Sequence, residues 1–448
     1  MKFGGSSVES AAAIARVAGI VKTRVARRPV VVVSAMGKTT NRLLEIAAFA
    51  VKGQREKALA FLDELEQFHQ LESGAGLQAA ADVTSHFAEL RELVKGLAIM
   101  GEFTPRATDA ISAFGERLSS LIVTHQFREL GLKAVHVDSR RVITTDNRHT
   151  HAAPLFADSY EKLAATIPAL ANEGKVVVMG GFIASTKDGI TTTLGRGGSD
   201  FTASIVGAAI NAEEIQIWTD VDGMLTCDPR IVPGGHRIKS CSFAEAAELA
   251  YFGAKVLHPA TVVPAIEKNI PVLILNSRRP EVEGTRIARE SVVCTNPVKS
   301  IACKQNITVV NIQSSRMLMA HGFLRRIFEV FDRFETPVDV VSTSEVSVSL
   351  TIDSAANLDP ILIELREFSE ASASNASALI SLVGENIRST SGVASRAFNA
   401  IRDVNIRMIS QGASVLNISF VVAQDDLKRT VELLHQEFFT SLDPEVFE

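Results

Sequence analysis

No long apolar run, no surplus of positive charge and no paired cysteines occur in this sequence. Its 46 Lys and Arg stand against 51 Asp and Glu, a net charge of −5. That balance offers no electrostatic footprint for nucleic acid or an anionic membrane. The four cysteines (Cys227, Cys241, Cys294, Cys303) form no CxxC pair and no zinc spacing, so reduced thiols in a cytoplasmic protein are expected rather than disulfides. No stretch has membrane-spanning length, and the opening MKFGGSSVES has no signal-peptide core. The Gly-Lys-Ser/Thr spacing of a P-loop and the dinucleotide fingerprint are both missing.

What is present reads as a folded multidomain protein. The 448 residues are 46% hydrophobic and 22% charged, which predicts two or three domains with a large core. Apolar runs at 29–35, 133–138, 175–182, 214–220 and 271–277 read as strands buried on both faces. Helical patterns lie between them, so the expected architecture is a mainly parallel sheet with helices on both faces. The block 40–130 contains no strand pattern and reads as a helical insertion. The composition changes near 285–300, which sets an expected domain boundary, with 1–285 in front and 300–448 behind.

The stretch TTTLGRGGSDFTA, residues 191–203, places Arg196, three glycines, Ser199 and Asp200 at the mouth of a predicted helix. Glycines permit close backbone approach, Ser199 and Asp200 are good N-cap types, and the first turn of a helix is an anion site. Arg196 adds a bidentate fork for a carboxylate or phosphate. A glycine turn with a surface arginine and an ordinary cap explains the same residues equally well. Small or glycine-rich turns recur, however, after four other predicted strands: Lys2 to Ser7, Ser34 to Thr40, Gly180-Gly181, and Thr219 to Gly223. Such turns at the carboxyl edge of a parallel sheet suit a phosphate-rich ligand.

After residue 300 the pattern repeats. The segment 322–352 is similar to 392–422, with Gly322 matching Gly392 and Phe328 matching Phe398, both seventy residues on. Each copy reads as strand, helix, two alternating strands and helix, the βαββαβ ferredoxin-like unit. The expected copies span about 305–375 and 376–448, either successive or interleaved. A duplicated module of this kind serves regulation or dimerisation.

The motifs KFGGSSV, FGERLS (114–119), TTTLGRGGSD, WTDVDG, DPR (228–230) and FGAKVLHP (252–259), in this order, resemble the motif series of the aspartate kinases. The tail segments STSEVSVSLTID and NIRMISQGAS resemble that family's paired ACT domains. The resemblance covers nearly the whole chain and is to the monofunctional, lysine-sensitive type, with no homoserine dehydrogenase segment expected. It implies an amino-acid-kinase fold followed by two ferredoxin-like ACT domains. The implied reaction is phosphorylation of the β-carboxylate of L-aspartate by ATP and Mg²⁺ to 4-phospho-L-aspartate, the first step toward lysine, threonine and methionine.

By the same resemblance, Lys2 and Asp200 are the catalytic residues, Lys2 at the phosphate and Asp200 organising the site. Ser34, Thr40, Glu116, Arg196, Gly197, Gly198 and Ser199 fall at the aspartate, with Glu116 on its ammonium and Arg196 on a carboxylate. Gly4, Gly5, Ser6, Thr219, Asp220, Arg230 and Lys255 fall at ATP. No residue is assigned as a metal ligand. Leu225 stands where some relatives carry a tyrosine near the adenine. The implied effector positions are Met317, Phe323, Leu324, Val338, Asp339, Thr343, Ser344 and Glu345, with lysine the expected effector and threonine its rival. Asp339 and Glu345 are expected close together at a sheet edge, and Met317, Phe323 and Leu324 over an aliphatic stem. A homodimer or tetramer built through the ACT domains is implied. Two other readings are a kinase acting on glutamate, acetylglutamate or a nucleotide, and a catalytically silent amino-acid sensor. FGERLS, FGAKVLHP and the double tail weigh against the first. The presence of Lys2, Arg196 and Asp200 weighs against the second.

Overall fold

The Val-rich runs Val30–Val33 and Val176–Gly180 are buried at every position, as strands covered on both faces must be. The computed structural model describes residues 1–74, 76–253, 259–290, 292–314 and 321–448. In chain order its strands are β1 (Lys2–Phe3), β2 (Val30–Val33), β3 (Ala134–His136), β4 (Thr144–Thr145), β5 (Val176–Gly180), β6 (Ile183–Thr186), β7 (Thr191–Thr193), β8 (Ile215–Thr219), β9 (Ser240–Ser242), β10 (Val272–Asn276), β11 (Thr285–Ala288), β12 (Ser300–Gln313), β13 (Val341–Thr343), β14 (Ser347–Ile352), β15 (Glu370–Val383), β16 (Met408–Gln411) and β17 (Asn417–Ala423). The α-helices are α1 (Ala11–Lys22), α2 (Thr39–Val51), α3 (Arg55–Glu72), α4 (Leu77–Met100), α5 (Pro105–Ser112), α6 (Phe114–Glu129), α7 (Ser139–Val142), α8 (Phe156–Asn172), α9 (Gly198–Ala209), α10 (Phe243–Tyr251), α11 (Val263–Glu267), α12 (Phe323–Arg333), α13 (Leu358–Arg366), α14 (Val393–Ala400) and α15 (Leu427–Phe438). They form two units, Met1–Met224 with Val256–Ser291, and Leu225–Lys255 with Val292–Glu448. The segment 225–255 thus belongs with the C-terminal residues, although the sequence reading kept 1–285 together.

In the first unit the strands run in the order β3-β5-β2-β1-β8-β10-β11. All neighbours are parallel except β10 and β11. β1 lies between β2 and β8, with Lys2 level with Val32 and Ile217. Alternate strand residues part to two faces. Val31, Val33, Val176 and Val178 join the core built with α1 to α6, while Val32, Val177 and Met179, also buried, look toward α8 and α9. Phe3 stacks on Trp218 with ring centroids 5.8 Å apart, which anchors the short β1 inside the sheet. The strand-free insertion holds α2 to α6. A second small sheet, β4-β6-β7, was not legible as strands because its runs are two to four residues long.

In the second unit six strands form one antiparallel sheet in the order β13-β14-β12-β15-β17-β16. The two ferredoxin-like copies are interleaved. β12 and β15 are 14 residues long each. Thr308–Gln313 of β12 pairs with β14, whereas its first residues, Ser300–Lys304, pair with the end of β15. That same end of β15, Ser377–Val383, pairs with β17. Each long strand therefore serves both copies. The register shifts between Lys304 and Val309, where Asn306 adopts a left-handed φ of 56°, divide the two halves as a bulge does. The repeat glycines have one shared job: Gly322 and Gly392 cap α12 and α14 with φ of 80° and 86°.

Candidate active site

The carboxyl ends of β1, β2 and β5 open onto a cavity of about 290 Å³ in the first unit, lined by Lys2, Ser34, Thr40, Glu116, Phe182, Gly195, Gly197, Gly198, Ser199 and Asp200. Eight residues picked from scattered motifs meet there. Phe182 and Gly195 complete the lining and were not singled out as site residues. Phe182 was hidden because its part is a backbone one: it takes a left-handed φ of 66°, its N–H donates to Thr202 Oγ1 at 3.0 Å, and its C=O accepts the Leu194 N–H at 2.9 Å.

The helix behind the cavity starts two to three residues earlier than its expected cap residues, Ser199 and Asp200, would place it. Gly197, with φ of 73°, caps α9, and Ser199 and Asp200 lie in the first turn. Only glycine takes that conformation without strain. The Gly198 N–H is taken by the Gly195 C=O at 3.0 Å, while the positive end of α9 faces the cavity lined by residues of its first turn. Gly181, after β5, is equally constrained: a Cβ there would lie 2.6 Å from Ser199 Cβ.

Lys2 Nζ lies 2.8 Å from Asp200 Oδ1, both side chains mostly shielded. Glu116 stands on α6 and is 4% exposed. Its Oε1 accepts the Ala35 N–H at 3.1 Å, and its Oε2 has no hydrogen-bond partner. Burial pushes the Glu116 carboxyl up to about 8, against the opposing pull of the Ala35 N–H and the Lys2 charge. A buried carboxylate with an open oxygen is a site for a cation. The Ser34 C=O accepts from Ser119 Oγ at 2.7 Å, which ties the β2 turn to the helix carrying Glu116. Arg196 does not line the cavity. It is exposed, between Gly195 and Gly197, which do.

Among the residues assigned to ATP, Gly4 donates its N–H to Trp218 O at 3.1 Å. Gly5 carries its backbone so close to the β2 turn that a Cβ would sit 2.8 Å from Ala35 O. Ser6 is half-buried in the turn Gly5–Ser7. Thr219 Oγ1 donates to Asp220 Oδ1 at 3.2 Å at the end of β8. Arg230 falls in the second unit, where it is exposed and its Nη2 pairs with Asp228 Oδ2 at 2.6 Å. Lys255 lies outside the described residues. Asp222, noted only as part of the glycine turn, holds Asn276 at 2.7 Å and Arg279 at 2.6 Å.

In the second unit the effector positions scatter. Asp339 and Glu345 are at opposite ends of the β13–β14 hairpin: the Asp339 N–H donates to Thr351 O at 3.0 Å, while Glu345 is in the exposed turn between Thr343 and Ser347. They are therefore not adjacent as expected. Phe323 is core, edge-on to Phe368 with centroids 5.8 Å apart. Leu324, Thr343 and Ser344 are exposed and Val338 half-buried; Met317 lies outside the described residues. Asp339 meets a cation of its own chain, since Lys304 Nζ is 3.1 Å from Asp339 Oδ2 and 2.8 Å from Asp353 Oδ2. Tyr251 donates its hydroxyl to Asp339 Oδ1 at 2.7 Å. Burial, then the neighbouring Asp353, raises the Asp339 carboxyl.

A parallel sheet with glycine turns, a helix N-terminus and a lysine at one edge, followed by an interleaved ferredoxin-like pair, defines a phosphotransferase of the amino acid kinase class with an ACT attachment. Family models agree: that of the amino acid kinase family matches residues 1–276 and that of the ACT domain residues 380–438. Chloroplastic aspartokinase 1 of Arabidopsis thaliana is 40% identical, over 99% of this chain and 80% of that protein. Lysine-sensitive aspartokinase 3 of Escherichia coli is 36% identical over 98% of both. The crystal structure of Escherichia coli aspartokinase III with aspartate and ADP, in the R-state, is similar at a TM-score of 0.85 and 34% identity, covering 98% of this chain and 99% of that one. The same enzyme with lysine and aspartate, in the T-state, gives 0.83 over 98% of both chains. The chain belongs to the aspartokinase family.

Proposed function

We propose that this enzyme transfers the γ-phosphoryl group of ATP to the β-carboxylate of L-aspartate, and that lysine restrains it through the ACT unit. The observation that carries the reading is the pairing, within one cavity, of a buried carboxylate lacking a partner on one oxygen, Glu116, with the Lys2–Asp200 pair at 2.8 Å. A zwitterionic substrate needs an anion for its ammonium, and Glu116 supplies it. Arg196, from the cavity rim, takes the α-carboxylate.

The acceptor carboxylate has an ordinary pKa of about 3.9. It is ionised at neutral pH and needs no general base. Rate then comes from alignment and from neutralising the charge of the transferring group. Lys2 supplies a positive charge at the phosphoryl oxygens, and the Ser199 N–H and the positive end of α9 supply more. Asp200 holds Lys2 in place rather than removing a proton. Gly4, Gly5, Ser6, Thr219 and Asp220 take the nucleotide.

Among the described residues no group of three His, Cys, Asp or Glu could hold a metal ion. A magnesium ion carried on phosphate oxygens needs only one or two carboxylates and water, and Asp200 fits that part. Bound there, magnesium neutralises phosphate charge. Free thiols at all four cysteines support a reducing compartment such as the cytoplasm, and no described helix is long and apolar enough to cross a membrane.

The test is ATP-dependent hydroxamate formation with aspartate or glutamate, alone and with lysine or threonine. Turnover of aspartate but not glutamate, suppressed by lysine, is expected. Turnover of glutamate alone overturns the substrate, and indifference to lysine overturns the effector.

A further inference from the structure

A buried carboxylate outside the cavity organises the loop that lines it. Asp109, on α5, is 0% exposed and belongs to none of the motifs. Its Oδ1 accepts the Thr193 hydroxyl at 2.6 Å and the Thr150 N–H at 3.0 Å. Its Oδ2 lies 2.7 Å from His149 Nδ1 and 3.1 Å from the Thr150 nitrogen. A carboxylate only accepts, so His149 carries its proton on Nδ1. Burying a carboxylate is costly unless it is fully hydrogen-bonded, and here three residues from two distant segments meet that need.

The segment Asp109 holds is strained. Thr150 has φ of 71°, a conformation that β-branched residues rarely adopt and that persists only where the surroundings over-determine it. Its hydroxyl lies 3.0 Å from His151 Nδ1. These two residues press on the substrate loop: a Cβ on Gly195 would lie 3.0 Å from His151 Cδ2 and 3.2 Å from Thr150 O. Gly195 in turn accepts the Gly198 N–H at 3.0 Å, at the first residue of α9. From the other side the Thr193 C=O accepts the Ala152 N–H at 3.0 Å, so the strap and β7 are stitched together on both sides of Asp109.

We propose that Asp109 is a positioning residue for the acceptor substrate: it locks the strap 149–151 onto Gly195, which holds the Gly198 N–H, and so sets where the first turn of α9 presents the Ser199 N–H. Asp109 acts through the loop and touches no substrate. The proposal rests on the reading of this cavity as the aspartate site, and it assigns the acceptor side of the reaction, not the nucleotide side, to the strap.

The test uses the full chain and Asp109→Asn, which keeps the shape but turns one acceptor into a donor facing His149 or Thr193. The aspartate KM is expected to rise at least tenfold while the ATP KM stays within twofold. Thr150→Gly keeps the N–H and removes the strain, and is expected to leave the aspartate KM within threefold. Unchanged constants in Asp109→Asn, or both KM values rising together, overturn the proposal. Should Asp109→Asn fail to fold, Thr193→Val removes a single donor. A rise of threefold or more in the ratio of aspartate to ATP KM then supports the proposal, and an unchanged ratio overturns it. Amide hydrogen exchange adds a readout independent of turnover: exchange at 194–200 should quicken in the variant while β2 and β5 stay protected, and equal exchange overturns the proposal. A wild-type enzyme inactive on aspartate instead overturns the substrate reading and leaves the exchange experiment to judge Asp109.

Discussion

Glu116 takes the Ala35 N–H at 3.1 Å on one oxygen and leaves the other without a hydrogen-bond partner. The helix that carries this carboxylate is thereby tied to the turn after β2, and the carboxyl is held up to about 8 chiefly by burial. Ammonium binding requires the ionised form. From pH 6.5 to 8.5 the kcat/KM for aspartate should therefore rise, by roughly 25-fold, with an apparent pKa near 8. A flat profile would remove Glu116 from ammonium recognition.

The same group predicts a stability effect of definite sign. The folded carboxyl titrates far above its unfolded value, so its contribution is fully present below about 4.5 and is lost as pH rises through about 8. Glu116→Gln carries no such loss. Its thermal midpoint should exceed that of wild type at pH 9, and the difference should shrink at pH 5. An equal midpoint difference at both values would contradict the burial argument.

Lys2→Met should lower kcat by roughly 10²–10³, the scale of removing one preorganised charge contact to a transition state. Asp200→Ala should also lower kcat, because Lys2 Nζ, 2.8 Å from Asp200 Oδ1, loses its anchor. If Asp200→Ala keeps full turnover, the positioning role is wrong. The pH profile separates this role from that of a base: loss of a base would remove an acidic limb from the profile, and loss of a positioning group would not.

Gly181→Ala would bring a Cβ to within 2.6 Å of Ser199 Cβ. The first turn of α9 must then shift, and displacement of about 1 Å at a site of this kind costs on the order of 100-fold in rate. The expected result is a fall of that size in kcat/KM with the fold intact by circular dichroism. Near-normal turnover would show that α9 yields without cost.

At the proposed effector site Lys304 already serves Asp339 and Asp353 at 3.1 and 2.8 Å. A cationic effector must compete with it. Lys304→Met leaves two carboxylates facing each other without their cation, so half-inhibition should need several-fold less lysine. A requirement for more lysine would show that Lys304 supports the effector instead.

Much of this was legible in the chain. Continuous apolar runs identified the parallel strands because burial on both faces leaves no room for polar alternation. Gly322 and Gly392 marked the repeat because helix caps with positive φ favour glycine at each copy. The turn residues of the cavity lining were readable because turns at strand ends converge on one edge whatever the loops between them do, whereas Glu116, on a helix, was placed by the family resemblance alone. Other features depend on which distant segments meet, and local pattern carries no record of that. The sharing of β12 and β15 between the two copies is a matter of strand pairing across some seventy residues. The turn of Phe323 into the core, and the separation of Asp339 from Glu345 along a hairpin, follow from register. Asp109 looks like any helical aspartate until Thr193, His149 and Thr150 fold around it. Residue type and spacing determined the chemistry available to this protein; tertiary structure decided which charges are buried, and burial is what sets Glu116 and Asp109 apart from surface-type carboxylates.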